Sequence, residues 1–353
     1  MDKPKPGLLY FYYNRSSFIE KDISYLSNSY KVIEFHFSSK KAALFTEFIR
    51  QLRFIIRHWK EADILICFFA GYLSLLPSLF SKVARKKCLI MAGGTDCVSF
   101  PSIRYGNFAR QPLRSITRIS FRLTTCIAPV HEKLVFYPYN YDISMPSPQG
   151  ILAFCRLDKE KIVTIHNGYD PNFFYPGQDK IKNSFLTVAY GIGTPRINSL
   201  KGIDLILQVA GEFPECIFNL VGQAGDDFPL PLPDNVKLFP PSSQHQLLKY
   251  YQESEYYLQL SLSEGFPNSL SEAMLCGCVP LGSDAGGIPD IIGDPELILW
   301  KRDSKQLKEL LGKALNRNTQ ELGIRARKRI IDLYSEEKRS VALQNLIGRL
   351  KNQ

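Results

Sequence analysis

Four side chains of this 353-residue chain stand where charge could be handled: Arg196 and Lys201 in "AYGIGTPRINSLKGIDLILQVA", and Glu264 and Glu272 in "SLSEGFPNSLSEAMLCGC". An arginine binds phosphate oxygens through two parallel donors and a lysine acts as a mobile point charge, so the pair could offset charge on a departing diphosphate. Glu264 lies on a Gly-Phe-Pro-Asn turn and Glu272 on the helix expected after it. The free N–H groups that open such a helix suit a phosphate, with Asn268 or Ser269 as its cap. A plainer reading is that Ser269-x-x-Glu272 forms a capping box, which would leave Glu264 without a purpose.

These residues need elements to hold them. Apolar, β-rich runs alternate with amphipathic stretches: "LLYFYY", "VIEFHF", "ILICFFA", "CLIMAGG", "TCIAPV" and "IVTIHNG", then "FLTVAYG", "IFNLVG", "VKLF", "YYLQLSL", "VPLGS" and "LILW". That rhythm predicts an α/β chain with parallel sheets buried on both faces, in two Rossmann-like lobes. The Pro- and Gly-containing Asp170–Ser184 segment is the expected linker, giving domains over 1–172 and 173–336. Arg196 and Lys201 then fall on a glycine-containing loop at a strand's carboxyl end, ahead of a helix starting near Gly202. Ligands are expected in a cleft between the lobes, where strand ends form binding crevices.

Apolar residues at 45% and charged residues at 22% exclude a disordered or fibrous chain. The eight cysteines show neither zinc spacing nor a disulfide framework, which predicts reduced thiols and a cytoplasmic protein. "MDKPKPGLLYFYYNR" lacks a small-residue cleavage site after its short apolar run, which argues against a signal peptide. Residues 1–180 hold 25 Lys and Arg against 14 Asp and Glu, so the first lobe carries the whole net charge of +10. Such a field favours anionic partners. Nucleic acid is not expected, because the basic residues are dispersed and no reader motif accompanies them. The uncharged run Ile64–Phe80 reads as a strand plus a helix. That helix's basic tail and "RYGNFARQPLRSITRISFR" are the expected surfaces for peripheral contact with anionic membrane.

Taken in order, "KIVTIHNGYDPNFFYP", "PRINSLKGIDLILQVA", "FNLVGQAGDD", "NVKLF" and "SLSEGFPNSLSEAMLCGCVPLGSDAGGIPDII" resemble the retaining glycosyltransferases of family four (glycosyl transferases group 1), which have the GT-B fold. The resemblance implies two Rossmann-like domains facing an interdomain cleft, with a C-terminal helix, about 337–353, crossing back to the first. It implies that Arg196 and Lys201 hold a donor diphosphate, that Glu264 holds the transferred sugar's hydroxyls, and that Glu272 holds the nucleotide ribose. Gly265, Phe266, Pro267, Asn268 and Ser269, with Gly222, would complete the donor side, although Pro267 has no N–H to give. Gly286 and Gly287 look like the family's late glycine turn, or a plain turn.

The first lobe departs from the family pattern. In "MAGGTDC", Gly93 stands where relatives often carry histidine. Gly94 and Asp96 are acceptor-side candidates, with helix capping as the alternative for Asp96. "YYNRSSF" replaces a glycine-rich loop, which makes Arg15 a further candidate. His131 and His166 occupy places where relatives often have serine and proline, and both read as structural. The last helix, with Val341, Leu343, Leu346, Ile347 and Leu350 at helical spacing, packs on the first lobe or binds a partner.

The expected reaction moves a sugar from a nucleotide-diphosphate donor to a hydroxyl of a saccharide or lipid-linked acceptor, with retention, in polysaccharide or glycan assembly at the inner membrane face. No enzymic nucleophile is evident, so front-face attack assisted by the leaving phosphate is expected. No metal and no cofactor are expected; "GDD", Gly225 to Asp227, reads as a loop. A noncatalytic sugar- or polymer-binding protein and a sugar-nucleotide epimerase are the alternatives.

Overall fold

The computed structural model describes residues 5–223 and 232–352, so Gly225 to Asp227 lie outside the described residues. The chain divides into two compact units. One contains Met1–Pro138, Pro148–Gly168 and Glu337–Gln353, the other Tyr139–Ser147 and Tyr169–Glu336.

In the first unit the apolar runs become β1 (Gly7–Tyr12), β2 (Lys31–His36), β3 (Ala62–Phe68), β4 (Lys87–Ala92) and β5 (Cys126–Pro129). All pair in parallel in the order β2-β1-β3-β4-β5. The linking helices are α1 (Ser17–Ser27), α2 (Leu44–His58), α3 (Tyr72–Val83), α4 (Leu113–Leu123) and the short α5 (Ile151–Phe154). Register places Leu8 beside Ile64 and Tyr10 beside Ile66, so alternate side chains reach one face together. There they meet Ile19, Ile23 and Leu26 of α1. "IVTIHNG" is not a strand. Val163 and Ile165 donate to the carbonyls of Ile127 and Pro129, but only Ile162 forms a bridge with β5.

The second unit contains β6 (Ile181–Ile192), α6 (Pro195–Lys201), α7 (Ile203–Ala210), β7 (Ile217–Gln223), β8 (Val236–Phe239), α8 (Gln244–Glu253), β9 (Ser254–Gln259), α9 (Asn268–Leu275), β10 (Val279–Ser283), α10 (Ile288–Ile292), β11 (Ile298–Leu299), α11 (Ser304–Leu315) and α12 (Thr319–Leu333). Its six strands are parallel in the order β11-β10-β9-β6-β7-β8. Phe185 stacks on Phe218 and on Tyr256, with centroids 5.0 and 4.5 Å apart, pinning the central three strands. Residues 181–184, assigned to the linker from their polarity, already belong to β6.

The final helix, α13 (Glu336–Asn352), joins the first unit's core through Leu343, Leu346, Ile347 and Leu350. Val341, grouped with them by spacing, is instead exposed. A buried ion pair fixes the helix: Arg339 Nε and Nη2 donate to the two oxygens of Asp22 on α1, each at 2.7 Å. All eight cysteines are free and buried. Among the described residues no helix is long and apolar enough to cross a membrane.

Candidate active site

In the second unit the residues singled out by chemistry collect at the carboxyl ends of its strands. Arg196 and Lys201 do not lie on a loop. Pro195 opens the short helix α6, and the loop expected there shrinks to Gly193 and Thr194. A proline at the first helical position needs no N–H partner and presets the helical φ, which is why the helix starts before the charges. Gly202, at φ +71°, joins α6 to α7. A Cβ there would lie 2.3 Å from the Leu260 carbonyl oxygen, so glycine lets the β9 end approach. That approach brings Lys201 Nζ to 2.5 Å from Glu264 Oε1. Arg196 sits five residues earlier and is exposed.

Glu264 is held by two further donors, the Ser261 hydroxyl at 2.9 Å and Gln259 Nε2 at 3.2 Å, both on Oε1. Among the described residues Oε2 receives no hydrogen bond. The other face of the turn is packed: Phe266 is buried between Tyr169, stacked at 6.0 Å, and Tyr334, edge-on at 4.9 Å. Gly286, at φ +55°, closes against the Glu264 backbone, where a Cβ would meet the carbonyl oxygen at 1.7 Å. The glycine turn therefore supports Glu264.

The capping box does not form. Pro267 is the N-cap of α9 and no side chain caps that helix. Ser269 reaches Gln259 instead, Asn268 Oδ1 accepts from the Tyr169 hydroxyl at 2.7 Å, and Glu272 Oε2 accepts from the Tyr251 hydroxyl at 3.0 Å. The N–H groups opening α9 thus have no side-chain cap, the condition under which a helix start accepts an anion. Gly222, at φ +116°, lies one residue before the end of β7, close against the Ala189 carbonyl. Sequence reasoning missed Gln259, Ser261 and Tyr251. The signal for Gln259 was a lone amide inside the apolar run "YYLQLSL".

In the first unit Asp96 is buried and turned inward. Its oxygens accept from the backbone N–H groups of Ala70 (2.8 Å), Gly93 (3.1 Å) and Gly94 (3.0 Å), tying the turns after β3 and β4. Burial raises its pKa, opposed by those N–H donors. It clasps the two turns and also lines the cavity that opens there, and Gly94 takes part in the same clasp. Arg15 is exposed and paired with Glu20 at 3.5 Å and Glu34 at 3.4 Å. Phe69, at φ +78°, explains Gly93: a Cβ at residue 93 would lie 2.4 Å from its ring. The aromatic ring occupies the space that a side chain at that position would enter.

A cavity of about 650 Å³ opens beside this clasp at the carboxyl ends of β1 to β4. The rings of Tyr13, Phe37, Phe69 and Tyr72 line it, with Lys40, Arg104 and Arg110 as its cations. The Tyr13 hydroxyl accepts from Leu73 N at 3.1 Å, and burial pushes its pKa up to about 12, so it keeps its proton. His131 and His166, distant in sequence, come together at the end of β5, with His166 Nε2 2.9 Å from Glu132 Oε2. His131 Nδ1 accepts from Lys133 N, a structural bond at the start of a turn.

Two units, each with a parallel sheet and its charged or aromatic residues gathered at the strands' carboxyl ends, define the GT-B class of glycosyltransferase fold. Residues 180–331, within the second unit, match the family described as glycosyl transferases group 1. The chain is 28% identical over 165 residues to the D-inositol 3-phosphate glycosyltransferase of Mycobacterium sp. (strain JLS), covering 41% of this chain and 37% of that one. It is 26% identical over 184 residues to one chain of the human phosphatidylinositol N-acetylglucosaminyltransferase, covering 49% and 37%. The matches thus span little more than a third of either relative's length. Among solved structures, Anabaena Alr3699/HepE in complex with UDP-glucose superposes with a TM-score of 0.71 at 13% identity, over 97% of this chain and 99% of that one.

Proposed function

We propose that the protein is a retaining glycosyltransferase that takes a sugar from a nucleotide-diphosphate donor, and that its acceptor is a saccharide or lipid-linked molecule bearing an anionic group. The observation that carries the reading is the one-sided bonding of Glu264. Oε1 takes the ammonium of Lys201, the Ser261 hydroxyl and the Gln259 amide, which leaves Oε2 to accept from a sugar hydroxyl. Lys201 stands beside it to meet a phosphate, and Arg196 is exposed one and a half turns earlier on α6. Glu272 is assigned the ribose, and the open start of α9 the distal phosphate. A UDP-glucose complex of a protein with this fold supports that class of donor.

In the proposed reaction the bond between the anomeric carbon and the diphosphate oxygen breaks while the acceptor oxygen bonds to the same carbon from the same face. The acceptor proton passes to the departing phosphate. Lys201 and Arg196 stabilise the charge that develops there, so the reading asks for no metal and no covalent enzyme intermediate. The first unit's cavity, with four rings and three cations, suits an acceptor that stacks an apolar ring face and carries a phosphate or carboxylate. Contact with anionic membrane belongs to the same proposal.

The test is a panel of nucleotide sugars screened by thermal shift, followed by nucleotide release on adding phosphorylated and neutral sugar acceptors. A donor should raise the wild-type melting temperature but not that of Lys201→Ala. If the stabilising donor releases no nucleotide with any acceptor, the noncatalytic binding protein becomes the better reading.

A further inference from the structure

Helix α2 packs Phe54 and Ile55 toward its own sheet and carries a second apolar face that this packing does not use. Of its residues, Glu47, Gln51 and Ile55 are the buried ones, and two of these are polar. Their polarity is satisfied inside the unit: Glu47 accepts from Ser38 N at 3.0 Å and from Arg50, and Gln51 Nε2 donates to the Leu73 carbonyl at 2.7 Å. Phe48 and Phe54 pack inward on Phe37 and Phe11, yet a second set of large apolar residues faces solvent. Phe45, Ile49, Leu52, Ile56 and the adjoining Trp59 are between 38% and 75% exposed. At 3.6 residues per turn these five fall within about 80° of arc, a continuous stripe the length of the helix.

Cations border that stripe. Arg53, Arg57 and Lys60 are exposed and follow at the spacing that sets them along one flank. The acids nearest by sequence are engaged elsewhere, Glu47 inward and Glu61 with Lys31 and His58. The neighbouring helix α3, joined to α2 by the Phe48–Tyr72 ring contact, also exposes Leu79 and Val83 around Lys82. By contrast, "RYGNFARQPLRSITRISFR" is less available than its composition suggests, because Arg114 and Arg118 donate to the carbonyls of Phe108 and Phe154.

We infer that α2 is a membrane-docking helix: Phe45, Ile49, Leu52, Ile56 and Trp59 enter the boundary between headgroups and acyl chains of an anionic bilayer, and Arg53, Arg57 and Lys60 bind its phosphates. An apolar stripe with a one-sided cationic border and a tryptophan at its end matches the two phases of that boundary. A second copy of the chain fits less well, since a twofold contact through α2 brings two cationic borders together with no carboxylate on the stripe to pair them. The inference gives the proposed membrane contact a surface, and its test does not use transfer activity.

The experiment is sedimentation of the full chain with vesicles of phosphatidylcholine alone and of phosphatidylcholine with phosphatidylglycerol, beside sedimentation velocity without vesicles. Wild type should pellet with the anionic vesicles and not the neutral ones, and less so as salt rises. Ile49→Ser/Leu52→Ser/Ile56→Ser should abolish pelleting, and Arg53→Gln/Arg57→Gln should weaken it roughly fivefold per cation removed. In a Trp300→Phe background, emission from Trp59 should shift to the blue on the anionic vesicles, a readout that survives if the triple variant folds poorly. Wild type left in the supernatant, a triple variant that pellets equally, or an unshifted Trp59 would overturn the inference. So would concentration-dependent self-association that the triple variant loses, which would assign the stripe to a second copy.

Discussion

Lys201 and Glu264 meet at 2.5 Å, joining the end of α6 to the turn after β9. A cation and an anion so close, both mostly buried, hold one another in place before any ligand arrives. In the proposed reaction Lys201→Ala removes the charge assigned to the diphosphate, and Glu264→Gln removes the charge that positions Lys201. Each should reduce transfer by about a hundredfold or more. Because Ser261 and Gln259 still satisfy Glu264, the stability cost of Lys201→Ala should stay at about 1 kcal/mol. Initial rates and urea midpoints on the same preparations check both statements, and an active Lys201→Ala enzyme would remove the diphosphate role.

Glu272 separates a fold role from a ligand role. It accepts from the buried Tyr251 hydroxyl at 3.0 Å, so Glu272→Ala should cost about 1–3 kcal/mol by leaving that donor without its acceptor. Glu272→Gln keeps an acceptor oxygen and should melt near wild type. It should nonetheless bind nucleotide about tenfold more weakly, since a charge-assisted bond to a ribose hydroxyl becomes a neutral one. Calorimetric titration of the glutamine variant with nucleoside diphosphate decides it: wild-type affinity would leave Glu272 a purely structural residue.

The Asp22–Arg339 pair is buried on both sides. Removing either partner strands a charge, and Asp22→Ala or Arg339→Ala should each lose about 3–5 kcal/mol by denaturant unfolding. Asp22→Leu/Arg339→Met removes both charges together and should lose less than either single change.

Acid should loosen the Glu132–His166 contact. The hydrogen bond from His166 holds the Glu132 carboxyl at about 2, against an ordinary 4.5. A carboxyl whose pKa falls on folding adds stability that is present above 4.5 and is lost as pH drops toward 2. His166→Ala should therefore be less stable than wild type near pH 5, with the gap narrowing below 4.5 and closing only toward pH 2. A gap that stays constant over that range would show the contact contributes nothing through charge.

The strands were legible because parallel sheets buried on both faces are written as continuous apolar runs, and eleven of the twelve runs became strands. The exception, "IVTIHNG", has the composition of a strand but lies at the sheet border with a single bridge. The acidic and basic residues of the second unit were legible by type and spacing. Their partners were not: Tyr251, Gln259 and Ser261 matter through contacts made across turns, which no local pattern encodes. Ser269-x-x-Glu272 misled because its capping pattern is local, whereas tertiary contacts with Gln259 and Tyr251 claimed both side chains. Phe69 was invisible for the same reason, since only the folded turn shows its ring at the space beside Gly93.

The seating of α13 sets an order on synthesis. The strands of the first unit leave the ribosome early, yet their core lacks Leu343, Leu346, Ile347 and Leu350, and Asp22 lacks Arg339, until the last helix emerges. The half that is translated later can therefore finish folding sooner, and the half translated first must wait with an apolar trough uncovered.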